Sequence, residues 1–388
     1  MSKTADFSVI EAGIREIYGS GPVGLHLPFF FGTEIELIRQ VIDSEFVSGG
    51  GPVAQQFEEE LAARLGDSVY VASVASGTAA LHLALLSVGV VEDTEVITQG
   101  LSFIATFNAI RYCNAKPIFL DVSPSSFSLC AERLEQFLTE NCVLTDDSIT
   151  LNKRTGKRIS ACLPVHVLGQ PGFTQELKTI CDQWHIPIVE DSAEGLGSYR
   201  NHLHVGLVGD VGVLSFNANK IITAGGGGAV FSRSESRIKK IKHLASTAKI
   251  DHPWCFQHDK LGFNYRMSDL LCGFGLAQLR KLELILERKR KIADQYQSYF
   301  NEIIDCNVFS RRDFGEVTFN NWLNYIFVQP DEKNKLLEYL NRNSISARPL
   351  WNLGAQQVYL KEYESHNLDV CDYLIHRIIC LPSGYTPD

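Results

Sequence analysis

The sequence predicts an α/β protein: a parallel sheet with helices on both faces, followed by a smaller C-terminal α+β unit. Three observations predict it. Between about residues 52 and 232, short apolar runs alternate with helical patterns at the spacing of strand–helix–strand units. The runs are apolar at both alternating positions, as in strands covered on two faces. Beyond about Ser232 the pattern changes to a long helical region and then a short strand and helix.

The elements follow in order. PVAQQFEEELAARL (Pro52 to Leu65) reads as a helix, with Pro52 suited to the first helical position and Phe57, Leu61 and Leu65 at spacing four. SVYVASV (Ser68 to Val74) is a strand, and SGTAALHLALLSVG (Ser76 to Gly89) opens a helix. Further strands are expected at Glu95 to Thr98, Pro117 to Val122, Ile159 to Val167 and Ile186 to Asp191. Helices are expected between them, at Phe103 to Cys113, Ala131 to Thr139 and Thr174 to Trp184. The polar stretch Asn141 to Lys157 reads as an inserted loop or hairpin. VGVLSF (Val211 to Phe216) and GAVF (Gly228 to Phe231) complete the buried runs. A long helical region is expected from Ser268 to Phe300, then a strand at Asn324 to Pro330 and a helix at Asp331 to Asn343. The expected division is a large domain over residues 1–260 and a small one over 261–388.

Bulk properties narrow the function. The 388 residues are 45% hydrophobic and 21% charged, an ordinary globular balance with room for a large core. A net charge of −9 argues against a general nucleic-acid binder, whose phosphate contacts need a basic surface. A local basic pocket for a small anion stays compatible with it. The ten cysteines are scattered without a CxxC pair and read as reduced, mostly buried thiols rather than a metal site or disulfide framework. No run approaches a membrane span or a secretory leader, so a cytoplasmic protein is expected. His202 and His204 in NHLHVG read as a surface turn.

The chemistry starts at SFNANKIITAGGGG, Ser215 to Gly228. Lys220 stands between two buried runs, where a plain solvated lysine is out of place. A lysine kept from water loses its charge more readily and becomes a nucleophilic amine. Asp191 ends the strand IPIVED, and ligands of parallel sheets sit at carboxyl strand ends. A buried aspartate there needs a cationic or hydrogen-bonding partner. The pair matches what pyridoxal 5'-phosphate requires: an amine to bond its aldehyde and a carboxylate to hold its ring nitrogen protonated. A surface lysine and a capping aspartate are the plain alternatives.

Six more residues fit that cofactor. Ser76, Gly77 and Thr78 open a helix directly after a strand, where free N–H groups attract phosphate. Ser215 adds another hydroxyl. Phe103 follows a strand and can stack on a flat ring, with core packing an equal alternative. Glu194 lies three residues past Asp191 and can reach the cofactor's phenolic oxygen. Glycines 225 to 228 follow a lysine-bearing turn and lead into a strand, the reverse of a dinucleotide fingerprint. No His/Cys spacing supports a metal.

These segments carry a resemblance. SGTAALHLAL, QGLSFIATFNAI, PIFLDVSP, LPVHVLGQPG, IVEDSAEGLGS, SFNANKIITAGGGG and FNYRMSDLLCGFGLAQL resemble the DegT/DnrJ/EryC1/StrS group of pyridoxal-phosphate sugar aminotransferases, in order from about Val47 to Pro382. LNKRTGKRI, GGGG, HLASTAKIDHPWCFQHDKLGFNYRM and ARPLW resemble its LegC-like branch. The resemblance implies the aspartate-aminotransferase fold (fold type I), a mostly parallel seven-stranded sheet with a small C-terminal α+β domain. It implies a homodimer with shared sites. Lys220 would be the Schiff-base lysine and Asp191 the pyridine partner. Phe103 would stack on the ring, Gly77, Thr78 and Ser215 would hold the phosphate, and Asn264 would reach a neighbouring subunit's phosphate. His26, Lys249, Arg266 and Arg348 are expected around the substrate. That substrate would be a nucleotide-linked, UDP-type 4-keto-6-deoxy-N-acetylhexosamine, with L-glutamate as amino donor, in surface-glycan synthesis. Gly226 replaces the group's usual glutamate, as its branch does, and Ser192 and Ala224 also depart from the common pattern. A 3-aminotransferase, a dehydratase or a non-catalytic member of the fold are the rival readings; an intact Lys220 favours transamination, because dehydratase relatives carry histidine there.

Overall fold

A computed structural model describes residues 7–303 and 316–386. The first helices are α1 (Phe7–Tyr18), α2 (Thr33–Asp43) and α3 (Pro52–Leu65). Then strand and helix alternate: β1 (Tyr70–Val74), α4 (Gly77–Ser87), β2 (Glu95–Gln99), α5 (Ile104–Tyr112), β3 (Lys116–Leu120) and α6 (Ala131–Asn141). A hairpin of β4 (Cys142–Leu144) and β5 (Thr150–Asn152) occupies the polar stretch. The alternation resumes with β6 (Ile159–Leu163), α7 (Thr174–Gln183) and β7 (Val189–Asp191). A short hairpin, β8 (Tyr199–Arg200) and β9 (Leu203–His204), leads to β10 (Val211–Ser215) and β11 (Gly228–Ser232).

Seven of these strands form one surface. The sheets β3-β2-β6 and β7-β10-β11-β1 are joined by parallel bridges, Cys162 to Ile188 and Val165 to Asp191. All run parallel except β11, which is antiparallel to β1 and β10. The fold is therefore the mostly parallel α/β type that the alternation predicts. Strands such as β6 are buried at every position because each face has its own apolar layer. One layer gathers Val71, Phe57, Phe216 and Phe231; the other gathers Ala72, Leu83, Val96 and Val213.

The helical region after residue 232 begins with α8 (Glu235–Ala245). The expected single helix from Ser268 to Phe300 is two, α9 (Asp269–Leu279) and α10 (Leu282–Ile303). Almost every residue of α9 is buried, packed on α2 and α3, whereas α10 is amphipathic and turns toward the C-terminal unit. That unit adds β12 (Val317–Thr318), β13 (Asn324–Phe327), α11 (Pro330–Arg342), β14 (Arg348–Pro349), α12 (Asp369–Ile375) and β15 (Ile378–Leu381). Strands β13 and β14 both pair antiparallel with β15. Its core also takes in Ile10 and Ile14 of α1, packed with Tyr296, Leu336 and Leu340. The N-terminal helix thus shares a core with the last third of the chain.

Two expectations about minor features can be checked here. Cys113, Cys142, Cys162, Cys181, Cys272, Cys371 and Cys380 are buried free thiols, Cys130 and Cys255 are half-buried, and Cys306 lies outside the described residues. His204 corrects the surface-turn expectation: it is 1% exposed, while His202 is exposed. Its Nε2 accepts from the Gly197 N–H and its Nδ1 donates to the Val205 carbonyl. Burial pushes the imidazole down to about 4, so the ring packs as a neutral group.

Candidate active site

Because the strands are parallel, the carboxyl ends of β1, β7 and β10 meet at one edge of the sheet, where α4 begins and β11 enters. A cavity of about 330 Å³ opens there. Ser76, Gly77, Thr78, Phe103, Asp191, Glu194, Ser215 and Lys220 all line it. Eight sequence-predicted residues therefore converge from four separate chain segments.

One wall is acidic. Asp191, the last residue of β7, is 4% exposed. Its Oδ2 accepts from Thr106 Oγ1 at 2.7 Å and its Oδ1 from the Ala193 N–H at 3.1 Å. Ser102 Oγ lies 2.7 Å from Thr106 Oγ1; since Thr106 spends its proton on Asp191, Ser102 is the donor between them. Burial pushes the Asp191 carboxyl above its ordinary range, against the pull of Thr106, Ala193 and the Lys220 charge. A cation brought to this carboxylate removes that conflict.

The preceding residue, Glu190, faces the other way and is a support. It accepts from the Gly206, Val208 and Gly209 N–H groups and lies 2.9 Å from His166 Nε2. His166 Nδ1 accepts from the Gly172 N–H, which places the ring proton on Nε2, toward Glu190. Burial raises the Glu190 carboxyl, but His166 and these amides outweigh it and the net shift is down. The backbone N–H of His166 donates to the Asp191 carbonyl, which holds the end of β7 in register.

Lys220 follows the turn after β10. Its side chain is 12% exposed, and Nζ lies 3.0 Å from Glu194 Oε1. The other Glu194 oxygen accepts from the Leu168 N–H. Burial pushes the Glu194 carboxyl up, and Lys220 opposes it. Nζ also stands 4.3 Å from the centre of the Trp322 ring.

The opposite wall is the N-terminus of α4. Ser76 caps it, its Oγ accepting from the Ala79 N–H at 3.1 Å. Gly77 is required by closeness: a Cβ there would come within 2.8 Å of Ser215 Cβ. Gly227, at φ 107°, lets the glycine run turn beside this helix start. Free N–H groups, Ser76, Thr78 and Ser215 thus surround a phosphate-sized corner. Phe103 is 50% exposed and meets Trp351 edge-on at 6.0 Å, so core packing does not explain it.

These residues fit pyridoxal phosphate. A helix N-terminus stands ready for the phosphate, an aromatic face for the ring, and a buried carboxylate short of a cation for the ring nitrogen. Lys220 supplies an amine within the same cavity.

Comparison with known proteins agrees. Residues 31–386 match the model of the DegT/DnrJ/EryC1/StrS aminotransferase family. The chain belongs to that family. It is similar to the pyridoxal phosphate-dependent aminotransferase EpsN of Bacillus subtilis, at 34% identity over 92% of this chain and 89% of that protein. It is 30% identical to GDP-perosamine synthase of Escherichia coli O157:H7, over 93% of each chain. It is 32% identical to UDP-4-amino-4,6-dideoxy-N-acetyl-beta-L-altrosamine transaminase of Campylobacter jejuni strain 81-176, over 87% of this chain and 86% of that protein. Its fold matches the solved aminotransferase PseC of Helicobacter pylori with a TM-score of 0.82 at 22% identity, over 93% and 94% of the two chains. The enzyme is a pyridoxal-phosphate-dependent nucleotide-sugar aminotransferase.

The remaining expected residues lie elsewhere. His26 is 9% exposed and sits in a layer beneath Lys220, its Nε2 2.9 Å from the buried Lys289 Nζ. It lines not the main cavity but a small pocket beside it that also includes Lys220. Arg348 is held outward by Asn341 Oδ1 and the Ala347 carbonyl. Lys249 covers the Phe256 ring at 4.4 Å. Arg266 and Asn264 are exposed, and Arg266 lines a separate groove of about 580 Å³. Sequence reasoning missed Thr106, His166, Glu190, Trp322 and Trp351. The charged pair within IVED and the histidine of LPVHV were signals for two of them. The tryptophans come from the small unit and had none.

Among the described residues, no helix is long and apolar enough to cross a membrane, and no three His, Cys, Asp or Glu residues gather as metal ligands.

Proposed function

We propose that this enzyme moves an amino group from L-glutamate to C4 of a UDP-linked 4-keto-6-deoxy-N-acetylhexosamine that supplies a bacterial surface glycan. The observation that carries the amine chemistry is Lys220 Nζ in one cavity with the buried Asp191 carboxylate and the N-terminus of α4. The likeness to the UDP-sugar transaminase supports the nucleotide, the N-acetyl group and C4. A GDP-linked 4-keto sugar is the second reading, favoured by the likeness to GDP-perosamine synthase. The LegC-like branch assignment belongs to the first reading.

Pyridoxal phosphate, when bound, supplies an aldehyde for exchange of amines and a ring that withdraws electrons from the neighbouring carbon. The chain does the rest. Ser76, Gly77, Thr78 and Ser215 hold the phosphate with hydroxyl and backbone donors. Asp191 would keep the ring nitrogen protonated and Phe103 would cover one ring face. Glu194 orients the phenolic side. Lys220 Nζ would take a proton from the α-carbon of glutamate and later return one to C4 of the sugar. Trp322 and Trp351 narrow the cavity against water.

The same proposal includes a homodimer. Trp254, Phe256 and Leu261 are 79%, 79% and 83% exposed, beside the exposed Asn264. A partner subunit covering them would bring Asn264, Lys249 and Arg266 toward a shared site. It also includes the two-domain division at about residue 260, with α1 carried on the small unit's core. The free buried thiols suit a cytoplasmic place of work.

The test is a panel of UDP-, GDP- and dTDP-linked 4-keto-6-deoxy sugars, each incubated with the loaded enzyme and L-glutamate and read by mass. Conversion of the UDP-N-acetyl sugar with the nitrogen at C4 is expected. Preference for the GDP sugar establishes the second reading, and nitrogen at C3 overturns both.

A further inference from the structure

Trp322 touches the active site in an unusual way. It is 2% exposed, yet polar contacts place it. Its backbone N–H donates to Asn320 Oδ1 at 2.9 Å. Its indole Nε1–H donates to the carbonyl of Asn219, the residue before Lys220, at 2.6 Å. Its ring face stands 4.3 Å from Lys220 Nζ. Asn320 in turn donates to the carbonyls of Glu194 and Leu196, so one turn of the small unit grips the chain on both sides of the Lys220–Glu194 contact.

A buried amine anchors that turn. Lys289 is 1% exposed and its Nζ reaches the Trp322 carbonyl at 3.0 Å, the Ser383 carbonyl at 2.6 Å and His26 Nε2 at 2.9 Å. Burial pushes this amine down to about 7, and the two carbonyls and the imidazole keep it partnered. This arrangement immobilises the Trp322 backbone from behind while its indole faces Lys220.

We propose that Trp322 is a positioning residue for Lys220: its ring face and the Glu194 carboxylate form a seat that holds the amine whenever it carries no bond to the cofactor. The inference rests on the aminotransferase reading, in which the amino donor displaces Lys220 once in every half-reaction. A freed lysine has four rotatable bonds and many conformers, few of which reach the carbon whose proton it must move. A π face on one side and a carboxylate on the other, each able to accept an N–H, confine the Lys220 nitrogen to one place. The Asn219 hydrogen bond confines the backbone beneath it.

The experiment compares Trp322→Leu and Trp322→Phe with wild type. Single-turnover reaction of the loaded enzyme with L-glutamate, and with L-glutamate deuterated at the α-carbon, reads the proton step. In Trp322→Leu the rate is expected to fall about tenfold and the isotope effect to grow, with glutamate affinity and cofactor content unchanged. Trp322→Phe keeps a π face and is expected within about threefold of wild type. On the cofactor-free chain, acylation of Lys220 followed by mass spectrometry should run several-fold faster in the leucine variant and close to wild type in the phenylalanine one. Should Trp322→Leu not fold, Trp322→Met takes its place. Equal impairment of the phenylalanine and aliphatic variants, or an aliphatic variant with wild-type rate and labelling, overturns the seat. Absence of any half-reaction in wild type instead overturns the aminotransferase reading, and the labelling of the cofactor-free chain still decides the seat.

Discussion

The inner wall of the cavity and its outer rim are built on opposite terms. Inside, Asp191, Glu194, Lys220 and Trp322 are shielded from water, and each meets a named partner on its own chain. At the rim, Phe103 is half exposed, and outside the cavity lining, on the segment 254–261, Trp254, Phe256 and Leu261 present about four fifths of their surface. Burial fixes charge and geometry, so the wall is complete before any ligand arrives. An apolar rim gains nothing from water and asks to be covered. The difference separates groups already partnered within the chain from apolar surface that the proposed dimer would cover.

The sharpest way to break the inner wall is at Lys220. Replacing it with alanine removes the amine proposed to move the proton, and turnover is expected to fall by roughly 10⁴-fold. Steady-state assay with the accepted sugar reads this, and a variant working at the wild-type rate would end the assignment. Asp191→Asn comes next. The amide keeps the Thr106 contact in shape but cannot hold a ring nitrogen protonated, so the glutamate half-reaction should slow by about 10²–10³-fold. Unchanged kinetics would show that the buried carboxylate serves packing alone.

The rim answers to a different measurement. If a second subunit covers it, Trp254→Ser combined with Phe256→Ser should weaken the dimer about tenfold to a hundredfold, because exposed aromatics that become buried dominate interfaces. Sedimentation across a dilution series decides this. A wild-type chain that is already monomeric, or a dimer indifferent to both changes, would assign the patch elsewhere.

The same contrast explains what could be read from the sequence. Strand ends announce themselves because β1, β10 and the stretch IPIV leading into β7 are apolar runs that stop at polar or charged residues, so Asp191, Ser76 and Ser215 were all legible. Lys220 was legible because a lysine between two buried runs breaks the pattern. Trp322 and Trp351 were not, since they lie more than a hundred residues downstream and reach the cavity only through docking of the small unit. The burial of His26 against Lys289 was equally hidden, because it depends on packing between distant segments. Nor does the long pattern from Ser268 show its break near Arg280, because helical periodicity continues across the junction of α9 and α10.

The smallest expected effect lies farthest from the cavity and tests whether burial alone makes a charged cluster matter. Asn152, on the β4–β5 hairpin, donates to Glu95 Oε2 at 3.0 Å and to Glu364 Oε2 at 2.9 Å. Arg154 and His366 also bind the Glu364 carboxylate. Burial pushes this carboxyl up, yet His366, Arg154 and Asn152 together hold it down to about 2. A carboxyl whose folded value lies below its unfolded one stabilises the fold above the unfolded value, and that contribution disappears as pH falls through the folded value. The window here runs from about 4.5 down to about 2. Glu364→Gln should therefore cost about 1–2 kcal/mol at neutral pH after allowance for solvent screening. The gap to wild type should close as pH drops through that window. Denaturant melts of both proteins at pH 7, 4.5 and 3 read it. A gap that stays constant with pH would mean that the Glu364 contacts act as hydrogen bonds to any oxygen, and that the hairpin is pinned by shape rather than by charge.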